Sequence, residues 1–189
     1  MMLLKKLELL KEGNKQMNNI TIDLDDKLVD YIKEKCSRDI SEDIKTIIDT
    51  ALKEKNITEQ NVSISINAVD KEEIHQINKE YRNVDRPTDV LSFPIFSREE
   101  INDFSSLDDN KKVKELELGD IIICIDVLQE HAEEYGTGIL REMLYMITHG
   151  VCHLLGYDHM IEEEKTEMRA LEEKILEKIG VGRINGEGN

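Results

Sequence analysis

Three of the five histidines in this chain of 189 residues stand in one short stretch, H-G-V-C-H-L-L-G-Y-D-H at 149–159. His149 and His153 are four apart, so on a helix both imidazoles leave the same face, one turn above the other. Gly156 can take the left-handed backbone that ends a helix and reverses the chain. That reversal brings His159 back toward the first two rings. A chain built on this stretch needs a helix carrying both histidines, a tight turn after it, and a point where three imidazoles meet. Three neutral imidazoles around one point suit a borderline divalent ion, zinc above all. Three protein ligands leave a fourth position open, as catalytic sites do and structural sites do not.

The spacing matches the metzincin protease signature H-E-x-x-H-x-x-G-x-x-H except at Gly150, where the signature has Glu. That Glu is the general base of the peptidase mechanism. The metal cage is therefore expected without peptidase chemistry, and a metallopeptidase is the least favoured enzyme reading.

Charge narrows the partners. The chain carries 25 basic and 41 acidic residues, a net charge of −16. Such a chain does not hold nucleic acid on a broad basic face. A phosphate substrate must be met locally, by the metal and a few arginines. With aromatics at 4% and no Trp, stacking platforms for bases are scarce. The three cysteines, Cys36, Cys124 and Cys152, are an odd number far apart, which fits a reducing cytoplasm and no disulfide framework. Cys152 lies between two ligands in sequence but off their stripe, and is expected in the core. No apolar run reaches membrane-spanning length.

The chain is expected to form one domain over 17–180, with an extension at 1–16 and a flexible tail at 181–189. Residues 1–16 read either as an extra amphipathic basic helix or as sequence ahead of a true start at Met17, since Lys-Glu-Gly at 11–13 can be encoded by a purine-rich ribosome-binding sequence. Intact mass of the protein made from the native gene decides between them. Strands are predicted at 18–24, 62–68, 88–93 and 116–125, the last as a continuous apolar run covered on both faces. Helices are predicted at 27–35, at 41–55 with Ser41 as N-cap, from a capping box at Asp70 and Glu73 to Tyr81, from an Asp126 cap to Tyr135, at 139–155 with Thr137 as cap, and at 161–179. Residues 97–114 read as a long polar loop. His75, alone among polar residues, is expected at the surface. Glu142 shares a stripe with Met146, His149 and His153; it reads either as a partner orienting an imidazole or as a solvated Glu.

Three blocks now stand out: Tyr81-Arg82 with Pro87-Thr88-Asp89-Val90-Leu91-Ser92-Phe93-Pro94, then Leu118-Gly119-Asp120-Ile121, then 149–159. In this order they resemble the YbeY family of endoribonucleases, bacterial ribosomal RNA maturation factors. The resemblance implies an α+β fold, a small mixed, mostly parallel sheet flanked by helices, with a zincin-like metal-binding helix. It implies zinc-dependent cleavage of single-stranded RNA in 3′-end maturation of 16S ribosomal RNA and in ribosome quality control. His149, His153 and His159 match the family's zinc ligands, and Arg82 its active-site arginine. Implied partners are the small ribosomal subunit, a basic ribosomal protein and an assembly GTPase, with neither membrane nor DNA. Residues 1–16 depart from the family pattern.

The chemistry follows from the residue types. Arg82 can clamp a phosphoryl oxygen with a planar fork of donors that Lys cannot mimic. Asp158, beside His159, can accept a proton or hold a histidine. The general base stays open, since the ribose 2′-hydroxyl or a water can be the nucleophile. A rival of another class is a non-catalytic, zinc-containing ribosome-assembly factor whose acidic surface docks on basic ribosomal proteins.

Overall fold

The computed structural model describes residues 18–36, 38–58, 60–104 and 115–182. The expectations for 1–16 and for most of the tail fall outside the described residues. Four strands form one sheet: β1 (Asn19–Leu24), β2 (Asn61–Val69), β3 (Val90–Pro94) and β4 (Leu116–Cys124). Their order is β1-β2-β4-β3, with β1, β2 and β4 parallel and β3 antiparallel to β4 at one edge. Seven helices are described: α1 (Asp26–Lys35), α2 (Ser41–Glu54), α3 (Lys71–Arg82), α4 (Arg98–Phe104), α5 (Ile125–Tyr135), α6 (Ile139–Leu154) and α7 (Glu162–Lys178). This is the expected α+β architecture.

The alternation in β2 sorts the core. Val62, Ile64, Ile66 and Ala68 face the large core, shared with Ile47 and Leu52 of α2, Ile147 and Val151 of α6, and Met168 and Ile175 of α7. On the other face a smaller cluster joins Ile74 of α3, Leu91, Cys124 and Val127 of α5. Burying about 25 cal/mol per Å² of apolar surface is what drives these layers together.

In β4 the period of two breaks. Glu117 pairs with Ser63, but Asp120 pairs with Ser65, so β4 carries one extra residue. Leu118 and Ile121, three apart, both reach the large core because of this bulge. Gly119 supplies it, at φ 126°, where a Cβ would stand 2.1 Å from the carbonyl oxygen of Phe93. Only glycine lets β3 pair that closely here.

Several helix starts differ from the prediction. Ser41 is the first helical residue; its N–H and its hydroxyl donate to Asp39 instead, at 2.9 and 2.7 Å. Asp126 lies inside α5, and its carboxylate accepts the Lys71 N–H at 3.0 Å, supporting the start of α3. Gly138 occupies the cap position of α6, and Thr137 donates to Glu142 at 2.5 Å. Asp126 is taken by a neighbour in space, whereas Ser41 and Thr137 are taken by carboxylates two and five residues away along the chain. The capping box at Asp70 and Glu73 is present, with bonds of 2.9 and 3.0 Å. The third strand starts at Val90, because Asp89 folds its carboxylate onto the Val90 N–H at 2.9 Å. The polar stretch at 97–114 is helical in its first part, α4; residues 105–114 lie outside the described ones. Val181 packs on the core and bonds to the Leu176 carbonyl at 2.9 Å after Gly180 turns left-handed.

Candidate functional site

Helix α6 sits against β4 through Gly150. A methyl there would stand 2.7 Å from Cδ1 of Ile121. The position that carries the peptidase base in metzincins therefore faces the sheet core and has no room for a carboxylate. The neighbouring, half-buried flank of α6, with His149 and His153, lines an open cleft.

After Leu154 the chain turns at Gly156, φ 77°. A Cβ at Gly156 would meet the backbone of Arg98 at 2.7 Å, so α4 presses on the turn. The turn returns His159 to the other two rings. Their ring centroids are separated by 4.6, 5.2 and 5.7 Å, and one nitrogen from each ring lies within 4.8 Å of the other two.

The remaining ring nitrogens fix the tautomers. His149 Nδ1–H donates to Glu172 Oε1 at 2.7 Å. His153 Nδ1–H donates to the Tyr157 carbonyl at 3.0 Å. With both Nδ1 atoms committed as donors, both Nε2 atoms carry lone pairs, and they face each other at 3.1 Å. When both rings are neutral these Nε2 atoms turn lone pairs toward each other, an arrangement that a shared cation would relieve. Burial, reinforced by His149 and His159, pushes His153 down to about 4, so it stays neutral at ordinary pH. Neutral imidazoles with fixed tautomers are the donor set that a borderline divalent ion takes.

Glu172 is the residue the sequence reading missed. It is 5% exposed, on α7, and distant in sequence from His149. Its only sequence signal was a polar position on the buried side of an amphipathic helix. Glu142 orients no imidazole and is not solvated. It is 4% exposed and accepts from Thr137 and from Arg141, the latter at 2.9 Å.

The cleft, about 740 Å³, is lined by the three histidines together with Arg82, Asp158, Tyr81, Phe93 and Arg98 among others. Arg82 ends α3, followed by Asn83 in left-handed backbone. The next loop is pinned: His75 Nε2–H and Lys79 donate to Asp85 at 2.7 and 2.9 Å, and Asn78 donates to the Arg86 carbonyl at 2.8 Å. His75 is thus a partly exposed loop anchor, away from the triad. Arg82 is exposed and makes no ion pair among the described residues. Arg98 lines the same cleft, but its guanidinium is bound to Glu164 and Glu167 at 2.8 and 3.2 Å, tying α4 to α7. Asp158 accepts the N–H of His159 at 2.7 Å and so stiffens the backbone that carries that ring. Cys152 is fully buried, as expected.

Fold and site together define an α+β domain of zincin-like form, in which one long helix and the turn after it present a histidine triad to a cleft that also holds an arginine with no ion pair among the described residues. The sequence matches the family described as Endoribonuclease YbeY over residues 28–180. It is 43% identical over 143 residues to Endoribonuclease YbeY of Agathobacter rectalis, covering 72% of this chain and 86% of that protein. It is 42% identical over 158 residues to Endoribonuclease YbeY of Clostridium botulinum strain Langeland, covering 80% and 95%. A solution structure from Thermotoga maritima, TM1509, aligns over 92% of this chain and all of its own at 24% identity, with a TM-score of 0.42, too loose a likeness to add to the fold description. The chain belongs to the Endoribonuclease YbeY family.

Proposed function

We propose that this chain is a zinc-dependent endoribonuclease cutting single-stranded RNA, acting in 3′-end maturation of 16S ribosomal RNA and in ribosome quality control. The observation that carries the reading is the meeting, in one cleft, of two imidazole Nε2 atoms 3.1 Å apart, a third imidazole, and an arginine with no ion pair among the described residues. Family membership supplies the substrate class.

His149, His153 and His159 would hold the ion, which when bound supplies Lewis acidity toward a phosphoryl oxygen or a water. Arg82 binds a second phosphoryl oxygen through two parallel N–H donors and stabilises the charge that grows there. Asp158 keeps His159 in place. Gly150 removes the peptidase base, and Ile121 fills the space that base would need. Three free thiols fit a reducing cytoplasm, where ribosomes are made. The net charge of −16 suits docking on basic ribosomal proteins; the family resemblance adds the small subunit, a basic protein of it and an assembly GTPase as proposed partners. Binding and cleavage are compatible in one molecule. A protein that assembles ribosomes without cutting RNA is the second reading, favoured by that same charge.

The deciding experiment is metal analysis and RNA cleavage of the wild type beside His153→Ala. One zinc per chain and endonucleolytic cuts in the wild type, both lost in the variant, support the nuclease. Ribosome maturation in cells carrying a triple-histidine variant would instead favour the binding role.

A further inference from the structure

The triad opens on two sides. Besides the Arg82 cleft, a second pocket of about 370 Å³ lies over α6 and α7, lined by Tyr145, His149, His159, Lys165, Met168, Arg169 and Glu172. His149 and His159 line both pockets, so the two form one path across the imidazoles.

Its charge runs against that of the chain. Lys165 and Arg169 are four apart on α7 and share one side of it. The acids of the same helix are largely committed elsewhere. Glu164 and Glu167 bind Arg98, and Glu172 accepts from His149. Glu162 reaches Lys165 only at 3.4 Å, on the exposed surface, where such a pair contributes little. Arg169 makes no ion pair among the described residues. Two cations, Lys165 weakly paired and Arg169 with no ion pair among the described residues, thus line the pocket that shares His149 and His159 with the Arg82 cleft. Tyr145 forms another wall, its ring near-parallel to that of His149 at 6.1 Å between centroids.

We infer that Lys165 and Arg169 bind a backbone phosphate of the RNA strand beyond the one held at Arg82, so that the strand crosses the triad from one pocket to the other. This rests on the nuclease reading for the identity of the ligand. It explains how an acidic protein would hold a strand with few contacts: the cations stand in line with the reacting centre rather than over a face. Tyr145 gives the neighbouring sugar or base a flat surface.

The test separates binding from cleavage. Fluorescence anisotropy with a labelled 2′-O-methyl hexauridylate is run on the metal-loaded wild type, on Lys165→Ala/Arg169→Ala, and on the control Lys33→Ala/Lys45→Ala, which removes the same charge outside both pockets that the triad lines. The expected result is at least a tenfold loss of affinity in the first double variant, with the slope of log K against log salt reduced by about 1. The control keeps the wild-type slope. Equal losses in both double variants, an unchanged slope in the first, or no binding by the wild type each overturn the subsite. Cleavage of unmodified hexauridylate by the same proteins is scored separately. A wild type that binds with the predicted difference but does not cut refutes the nuclease and leaves the strand path standing.

Discussion

His149 Nδ1 and Glu172 Oε1 lie 2.7 Å apart across the packing of α6 on α7, with the Glu172 side chain only 7% exposed. This bond leaves Nε2 as the nitrogen that His149 could offer a metal, and it links α6 to α7. A carboxylate behind a ligand imidazole also raises its basicity.

Glu172→Ala should therefore weaken metal affinity about 10- to 100-fold while the fold survives. Glu172→Gln, which keeps an acceptor oxygen but no charge, should fall between. Competition against a chromophoric chelator measures both. Wild-type affinity in the alanine variant would remove Glu172 from the metal centre.

Arg82→Ala should keep its metal and lose at least tenfold in RNA cleavage, since one oriented donor is worth about 3 kcal/mol of barrier. Arg82→Lys should not restore the rate, because an ammonium cannot form the two-pronged contact. Full activity in either variant ends the proposed role.

Restoring the peptidase signature should not restore a peptidase. Gly150→Ala already forces a methyl to 2.7 Å from Ile121, an overpacking cost of about 1–3 kcal/mol. Gly150→Glu should unfold or fail to accumulate, and should not digest casein. Thermal melts and a caseinolytic assay decide; a stable, caseinolytic Gly150→Glu protein contradicts the packing described.

Gly119→Ala should be among the most damaging single changes away from the cleft. Its φ of 126° disfavours any side chain, and the new Cβ would collide with the Phe93 carbonyl. A loss of more than about 2 kcal/mol is expected from strain and the broken β3–β4 contact. Because β3 borders the cleft, RNA cleavage should fall with stability. Denaturant titration giving a wild-type midpoint would refute this.

Burial pushes the thiols of Cys36, Cys124 and Cys152 up from the ordinary cysteine value. A group whose pKa is raised by folding favours the fold while protonated. Its contribution is complete below the unfolded value of about 8.5 and shrinks as pH climbs beyond it. Stability should therefore decline above about pH 8.5, and the slope should flatten in Cys124→Ala. In the native protein at neutral pH, Cys36, the least buried, should react first with a disulfide reagent, and Cys124 and Cys152 only on unfolding. Simultaneous reaction of all three would contradict the burial.

The sequence by itself determined the local features. The period-two run at 62–68 is β2, the capping box at Asp70 and Glu73 opens α3, and the histidine spacing followed by Gly156 is the α6 turn. Each depends on residues within a few positions of one another, so backbone periodicity and φ preferences suffice. Tertiary structure alone decided which neighbour each polar side chain serves. Asp126 supports α3 instead of its own helix, and Glu172 takes the imidazole partnership offered to Glu142. It also decided that Gly119 is a bulge and that Gly150 is a packing contact with Ile121. These depend on how α6, α7 and β3 close against β4. A short-range pattern carries no record of that, because a hydrogen bond or a contact is won by distance in space and not by separation along the chain.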